Sequence, residues 1–72
     1  MRIEYDPEAD ALYIQFRKGK PASNIDIEDG ITVDLDAKKH LVGIEILDVS
    51  RRFPADALAT VTVQNLLTSP SP

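Results

Sequence analysis

The chain has no cysteine, no tryptophan, one histidine and three glycines among 72 residues. Without cysteine there is neither a disulfide framework nor a thiolate metal site. A single imidazole leaves no His pair for zinc, and no Gly-rich phosphate loop is present. The longest apolar runs are a few residues, too short to span a membrane. Met1-Arg2-Ile3-Glu4-Tyr5-Asp6 lacks the apolar stretch of a secretory signal, so a cytoplasmic location is expected. Positive charge is also scarce. Eight Lys and Arg stand against twelve Asp and Glu, for a net charge of −4, which argues against non-specific binding to nucleic acid or anionic membranes. What remains is 43% hydrophobic and 28% charged, an ordinary globular mixture rather than a disordered one.

At 8.0 kDa the chain makes one domain, expected over residues 1–68 with a disordered tail at 69–72. Surface scaling gives about 4,500 Å² of folded surface and about 7,100 Å² buried on folding. If about 60% of that is apolar, transfer contributes about 107 kcal/mol. Ordering the chain costs about 108 kcal/mol. A margin this thin, with no disulfide to widen it, makes self-association a natural source of further buried area.

The dominant signal is a period of two. Ile3 and Tyr5 alternate with Arg2 and Glu4; Leu12, Ile14 and Phe16 with Tyr13 and Gln15; Ile25 and Ile27 with Asn24, Asp26 and Glu28. Ile31, Val33 and Leu35 alternate with Thr32 and Asp34, and Val42, Ile44 and Ile46 with Gly43 and Glu45. Five such segments predict an antiparallel sheet with one covered face. Asp6-Pro7-Glu8-Ala9-Asp10 forms the first turn, opened by an Asx-type Asp6 and a Pro7 that fixes φ. Gly19-Lys20-Pro21 separates the second and third segments. Pairing Ile25 with Val33 and Ile27 with Ile31 keeps the apolar face intact and needs a three-residue loop ending in a left-handed Gly30. Pairing Val33 with Ile44 and Leu35 with Val42 leaves Ala37–His40 as a four-residue loop. Tyr5 pairs with Leu12 and Ile3 with Ile14. These registers are consistent with a continuous five-strand meander, although a rearranged order satisfies them too.

Beyond Asp48 the pattern changes. Pro54 suits a first helical position, and Pro54–Ala59 favours helix. Thr60-Val61-Thr62-Val63-Gln64 is β-branched and alternating, which favours strand. The predicted fold is therefore α+β: an antiparallel β-meander of about five strands with a C-terminal helix packed on the sheet.

Two segments have a family character. Ile3-Glu4-Tyr5-Asp6-Pro7-Glu8-Ala9-Asp10-Ala11-Leu12-Tyr13-Ile14 resembles the opening signature of the family catalogued as domain of unknown function 2283. Leu41-Val42-Gly43-Ile44-Glu45-Ile46-Leu47-Asp48-Val49-Ser50 resembles its closing signature, and Asp29-Gly30 before Ile31–Asp36 falls where that family has its acidic-Gly turn. The resemblance covers the chain to about Arg52. It implies a small soluble prokaryotic protein with no assigned activity and no catalytic residues to transfer. Some members look like companions of small toxin-like proteins, which implies an antitoxin-type role.

Candidate chemistry is sparse. Asp26, Asp34 and Glu45 share the outward sheet face, with Asp36 at the end of the same strand as Asp34; clustered carboxylates can supply oxygen ligands to Mg²⁺ or Ca²⁺. The competing reading is a solvated acidic face. The carboxylates of Asp6–Asp10 are better explained as turn chemistry, with Asp10 capping the turn that follows it. His40 sits in a hairpin loop without the orienting partner and pocket that acid–base catalysis needs. Arg17-Lys18-Gly19-Lys20 and Arg51-Arg52 are basic clusters with no aromatic stacking face beside them, consistent with solubility and edge protection. Tyr13, Leu41 and Leu47 point away from the apolar face, and Val61 and Val63 have no assigned partner. The expectation is a non-enzymatic protein-interaction module: a homodimer without cofactor, nucleic-acid or membrane partner, engaging a basic toxin-like protein through its acidic face. The alternative is a divalent-cation-binding protein or metal-dependent enzyme using Asp26, Asp34, Asp36 and Glu45.

Overall fold

A computed structural model describes residues 1–64. Five strands form one antiparallel sheet: β1 (Arg2–Asp6), β2 (Ala11–Gln15), β3 (Ser23–Glu28), β4 (Ile31–Leu35) and β5 (Leu41–Ile46). Their order is β1-β2-β5-β4-β3. The three expected hairpins are present and β3-β4-β5 runs as a meander. The continuous order is corrected at one place, because β2 lies beside β5 and not beside β3. Residues 16–22, with Pro21 among them, make a long connection rather than a tight turn. Seven residues reach about 23 Å, enough to pass the roughly 14 Å from β2 to β3 over two intervening strands. The result puts β5, the strand with Val42, Ile44 and Ile46, in the centre. The charged strands β1 and β3 take the edges, where unpaired backbone needs protection from other chains.

The register places Ile3, Ile14, Ile44, Val33 and Ile25 in one row across all five strands. The first hairpin pairs Tyr5 with Leu12 and Ile3 with Ile14 as predicted. In the β3–β4 hairpin Ile25 faces Val33 as predicted, but Glu28, not Ile27, stands opposite Ile31, and a bulge falls between Asp26 and Glu28. Gly30 has φ +85°, the left-handed value that this tight turn needs. The β4–β5 hairpin also carries a bulge. Val33 faces Ile44 as predicted, whereas Leu35 faces Leu41 instead of Val42. Asp36 N–H donates to the His40 carbonyl at 2.9 Å, so the loop shortens to three residues with Lys39 left-handed at φ 68°. The extra residue, Val42, is 1% exposed.

The C-terminal helix differs from expectation. A single helical turn, α1 (Val49–Arg52), forms before Pro54, and a 3₁₀ turn follows at Ala55–Leu58 with Pro54 as its extended cap. Pro54 sets φ but its ψ of 151° is extended, so it ends one turn rather than opening a long helix. Thr60–Gln64 is neither strand nor helix. The expected tail at 69–72 lies outside the described residues. Val42 and Val49 are the only buried hydrophobic residues among those described. Among the described residues the sheet is thus one layer, with the second layer reduced to two short turns.

Candidate functional site

The two faces of the sheet differ in chemistry. On the polar face, Glu4, Tyr13, Glu45, Thr32 and Asp26 form one row across the strands, and Arg2, Gln15, Gly43, Asp34 and Asn24 the next. Tyr13 lies across Gly43, and its hydroxyl donates to Asp34 Oδ2 at 3.0 Å. A Cβ at Gly43 would run into the Tyr13 hydroxyl and stand 2.8 Å from the Ile14 carbonyl oxygen. The glycine is therefore required by the phenol and by the neighbouring strand's carbonyl, not by a positive φ. Burial, with help from Asp34, holds the Tyr13 hydroxyl above its ordinary pKa. Beside it, Thr32 Oγ1 donates to Asp26 Oδ1 at 2.9 Å. Glu4, Tyr13 and Glu45 border an open cleft of about 550 Å³ that reaches the first turn.

The predicted acidic set is dispersed by these bonds. Asp34 accepts from Tyr13 and Asp26 from Thr32, while Glu45 is exposed. Asp36 stands apart at the β4–β5 loop, where its Oδ1 accepts the N–H groups of His40 at 2.9 Å and Lys38 at 2.8 Å. Those backbone donors hold its carboxyl below the usual range. Asp36 Oδ2 is approached by Arg17 at 3.6 Å and by His40 Nδ1 at 3.8 Å. No group of three or more acidic or histidine side chains is placed to hold a metal ion among the described residues. Asp6 closes the first turn as predicted, accepting from Glu8 N–H at 2.9 Å and Ala9 N–H at 3.3 Å.

One polar cluster was not foreseen. Asp10, left-handed at φ 53°, does more than cap its own turn. Its carboxylate accepts from the Tyr5 hydroxyl at 2.8 Å, from Ser50 N–H at 3.0 Å and from Ser50 Oγ at 2.7 Å. Its carbonyl takes the Val49 N–H at 3.1 Å. Asp10 thus caps α1 from forty residues away, in place of Asp48, which makes no side-chain cap bond. The Ser50 and Tyr5 donors hold the Asp10 carboxyl below its ordinary range, and the same bond raises Tyr5. The signal was available: Asp10 and Ser50 lie in the two segments that carry the family resemblance. The basic candidates are also engaged. Arg52 donates to the carbonyls of Leu47 and Asp29 and to Glu28 Oε2, which ties α1 to the Asp29-Gly30 turn.

The apolar face is the opposite case. Ile25 is 56% and Ile27 63% exposed on the outer strand β3, and Ile3, Tyr5 and Phe16 are each about two-fifths exposed. The 3₁₀ turn reaches only one end. Ala57, Leu58 and Val61 line a cleft of about 360 Å³ with Ile3, Tyr5, Leu12 and Ile14.

The family comparison follows this anatomy, because the matched segment contains Asp10, Gly30, Gly43 and Ser50 together. The model for the protein of unknown function family DUF2283 matches residues 2–50. The chain belongs to that family. Two curated relatives are each 38% identical to it. One is an uncharacterized protein of Methanocaldococcus jannaschii, aligned over 78% of this chain and 47% of its own length. The other, from Methanosarcina mazei, is named a putative hypoxanthine phosphoribosyltransferase and aligns over 72% of this chain and 42% of its own. The chain therefore spans about half the length of these relatives. No solved structure matches. No helix among the described residues is long and apolar enough to cross a membrane.

Proposed function

We propose that this DUF2283 member is a small non-enzymatic protein-interaction module acting in the cytoplasm. One observation carries the reading: among the described residues the sheet is a single layer whose apolar face is covered only at one end. Domains are stabilised by two packed layers, so a sheet with one layer completes itself on another protein surface. The finer version is antitoxin-like. Glu4, Glu45 and Asp26 share a row on the exposed polar face, and the net charge is −4, which suits a small basic partner. The activity in the name of the Methanosarcina mazei relative is not carried over, since the chain spans 42% of that protein.

The test is recovery of the N-terminally tagged protein from its own cells at moderate salt, followed by native mass spectrometry. The expected result is a stoichiometric small basic polypeptide, lost when Asp26 and Glu45 are changed to Lys. Recovery of a homodimer alone removes the antitoxin-like version. Recovery of a folded 8.0 kDa monomer alone overturns the interaction reading.

A further inference from the structure

We infer that the apolar face is closed by a second copy of the chain, packed face to face about a two-fold axis. The inference rests on the interaction reading above and names the occupant of one of its two surfaces. The contact is centred on the half of the face that the C-terminal turns leave bare: Ile25, Ile27, Ile31, Val33 and Ile44.

Three observations select a second copy. The first is charge. The row Ile3, Ile14, Ile44, Val33, Ile25 is uncharged across the whole sheet, and Glu28, which stands opposite Ile31 in the next row, is paired with Arg52 at 3.0 Å, so two such faces meet with little like-charge repulsion. The opposite face carries Glu4, Glu45, Asp26 and Asp34, and two copies meeting there would set carboxylate against carboxylate. The second is area. Ile25 and Ile27 are more than half exposed and Ile3, Tyr5 and Phe16 about two-fifths, apolar surface on one face that a face-to-face contact removes from water. The third is position. The 3₁₀ turn covers the β1–β2 end, and exposure is highest on β3 at the other end. A two-fold arrangement that joins the β3–β4 halves leaves both C-terminal turns in place beside the contact. Two sheets packed in this way lie about 10 Å apart, with their side chains interdigitated.

Asn24 and Ile25 are neighbours on the same edge strand and point to opposite faces, which gives a matched pair of probes. The wild-type mass by light scattering at about 100 µM is expected at twice 8.0 kDa, with a melting temperature that rises with protein concentration. Ile25→Glu is expected to halve that mass, and Asn24→Glu to leave it unchanged. Ile25→Glu unfolding outright, by far-ultraviolet circular dichroism, is covered by a second pair. The chain has no cysteine, so Ile25→Cys and Asn24→Cys each introduce a single thiol. The thiol at position 25 is expected to react with a maleimide at least tenfold more slowly than the one at 24, with the gap closing on dilution. A wild-type monomer at 100 µM overturns the inference, as does a dimer that Ile25→Glu leaves intact. So do equal thiol rates at the two positions, or a slow thiol at 25 that dilution does not release, which would mean that this chain's own residues cover the face. A monomer that still recovers a basic polypeptide from cells would end this inference and leave the interaction module standing.

Discussion

The polar and apolar faces belong to the same five strands, yet they are finished to different degrees. On the polar face, side chains that reach a neighbour bond to it within the chain: Tyr13 to Asp34 over Gly43, and Thr32 to Asp26. On the apolar face the residues are aligned in rows, and the described residues lay a cover over only one end of them. Polar groups can be satisfied by one well-placed neighbour, because hydrogen bonds are local and directional. Apolar groups need area removed from water, and a sheet alone cannot provide it. The difference shows why the described residues can settle polar pairs one at a time while most of the apolar face stays uncovered by them.

The strongest way to break this contrast is at Gly43. Gly43→Val puts branched carbon where the Tyr13 ring lies and against the Ile14 carbonyl. Tyr13 must leave, and with it the bond to Asp34. Overpacking of this kind costs about 3 kcal/mol, a large part of a small domain's stability. Urea unfolding followed by circular dichroism should show the midpoint falling sharply. Gly43→Val with wild-type stability would mean that Tyr13 does not rest on the glycine.

The apolar side is sharpened by one truncation made at two places. Val42→Ala removes a side chain that is 1% exposed and should cost about 2 kcal/mol at every protein concentration. Ile27→Ala removes more hydrocarbon, but from a residue 63% exposed, and should cost less than about 0.5 kcal/mol in dilute solution. The comparison inverts if the exposed residue proves the costlier one in dilute protein.

Most of this architecture was legible in the sequence for a plain reason. Period-two alternation reports which side chain faces which way, and register follows from keeping one face apolar. That logic located all five strands and the left-handed Gly30. It missed the place of β5, since alternation says nothing about which strand is central. Both bulges escaped it as well. The bulge at Val42 shifts the register by one residue and sets Leu41 opposite Leu35, which alternation alone does not report. The helix expected from Pro54 stops at a 3₁₀ turn, because helical propensity over six residues is weak and the β-branched Thr60–Val63 does not extend it. On the polar side, alternation correctly grouped Asp26, Asp34 and Glu45 on one face, but a shared face is not a shared site. The hydroxyls of Thr32 and Tyr13 claim two of the carboxylates.

A smaller test concerns the Tyr13–Asp34 bond by itself. Tyr13→Phe keeps the ring over Gly43 and removes only the hydroxyl. The bond ends on a carboxylate in a part-buried setting, so its loss should cost about 1 kcal/mol by urea unfolding. A cost equal to that of Gly43→Val would assign the stability to the hydrogen bond rather than to the ring's fit.

The mildest effect is graded with pH and separates the sheet's faces from the clamp that joins its ends. Asp10 and Asp36 are held below their ordinary range, by Ser50 and Tyr5 in one case and by the backbone of His40 and Lys38 in the other. Unfolded, both titrate near about 3.9. Between that value and the lower folded ones the unfolded chain binds more protons, so stability rises with pH there. Their contribution is complete above about pH 5 and is lost as the pH falls through the folded values. Urea midpoints measured from pH 7 down to 3 should stay level at first and then decline. Asp10→Asn should lower the midpoint at pH 7 and flatten the acid decline, because one of the two titrating carboxylates is gone. Asp36→Asn should do the same through the β4–β5 loop. If the wild type and Asp10→Asn decline in parallel, Ser50 and Tyr5 do not favour the charged carboxylate, and α1 is held to the sheet by the burial of Val49, its N–H bond to the Asp10 carbonyl and the bonds of Arg52.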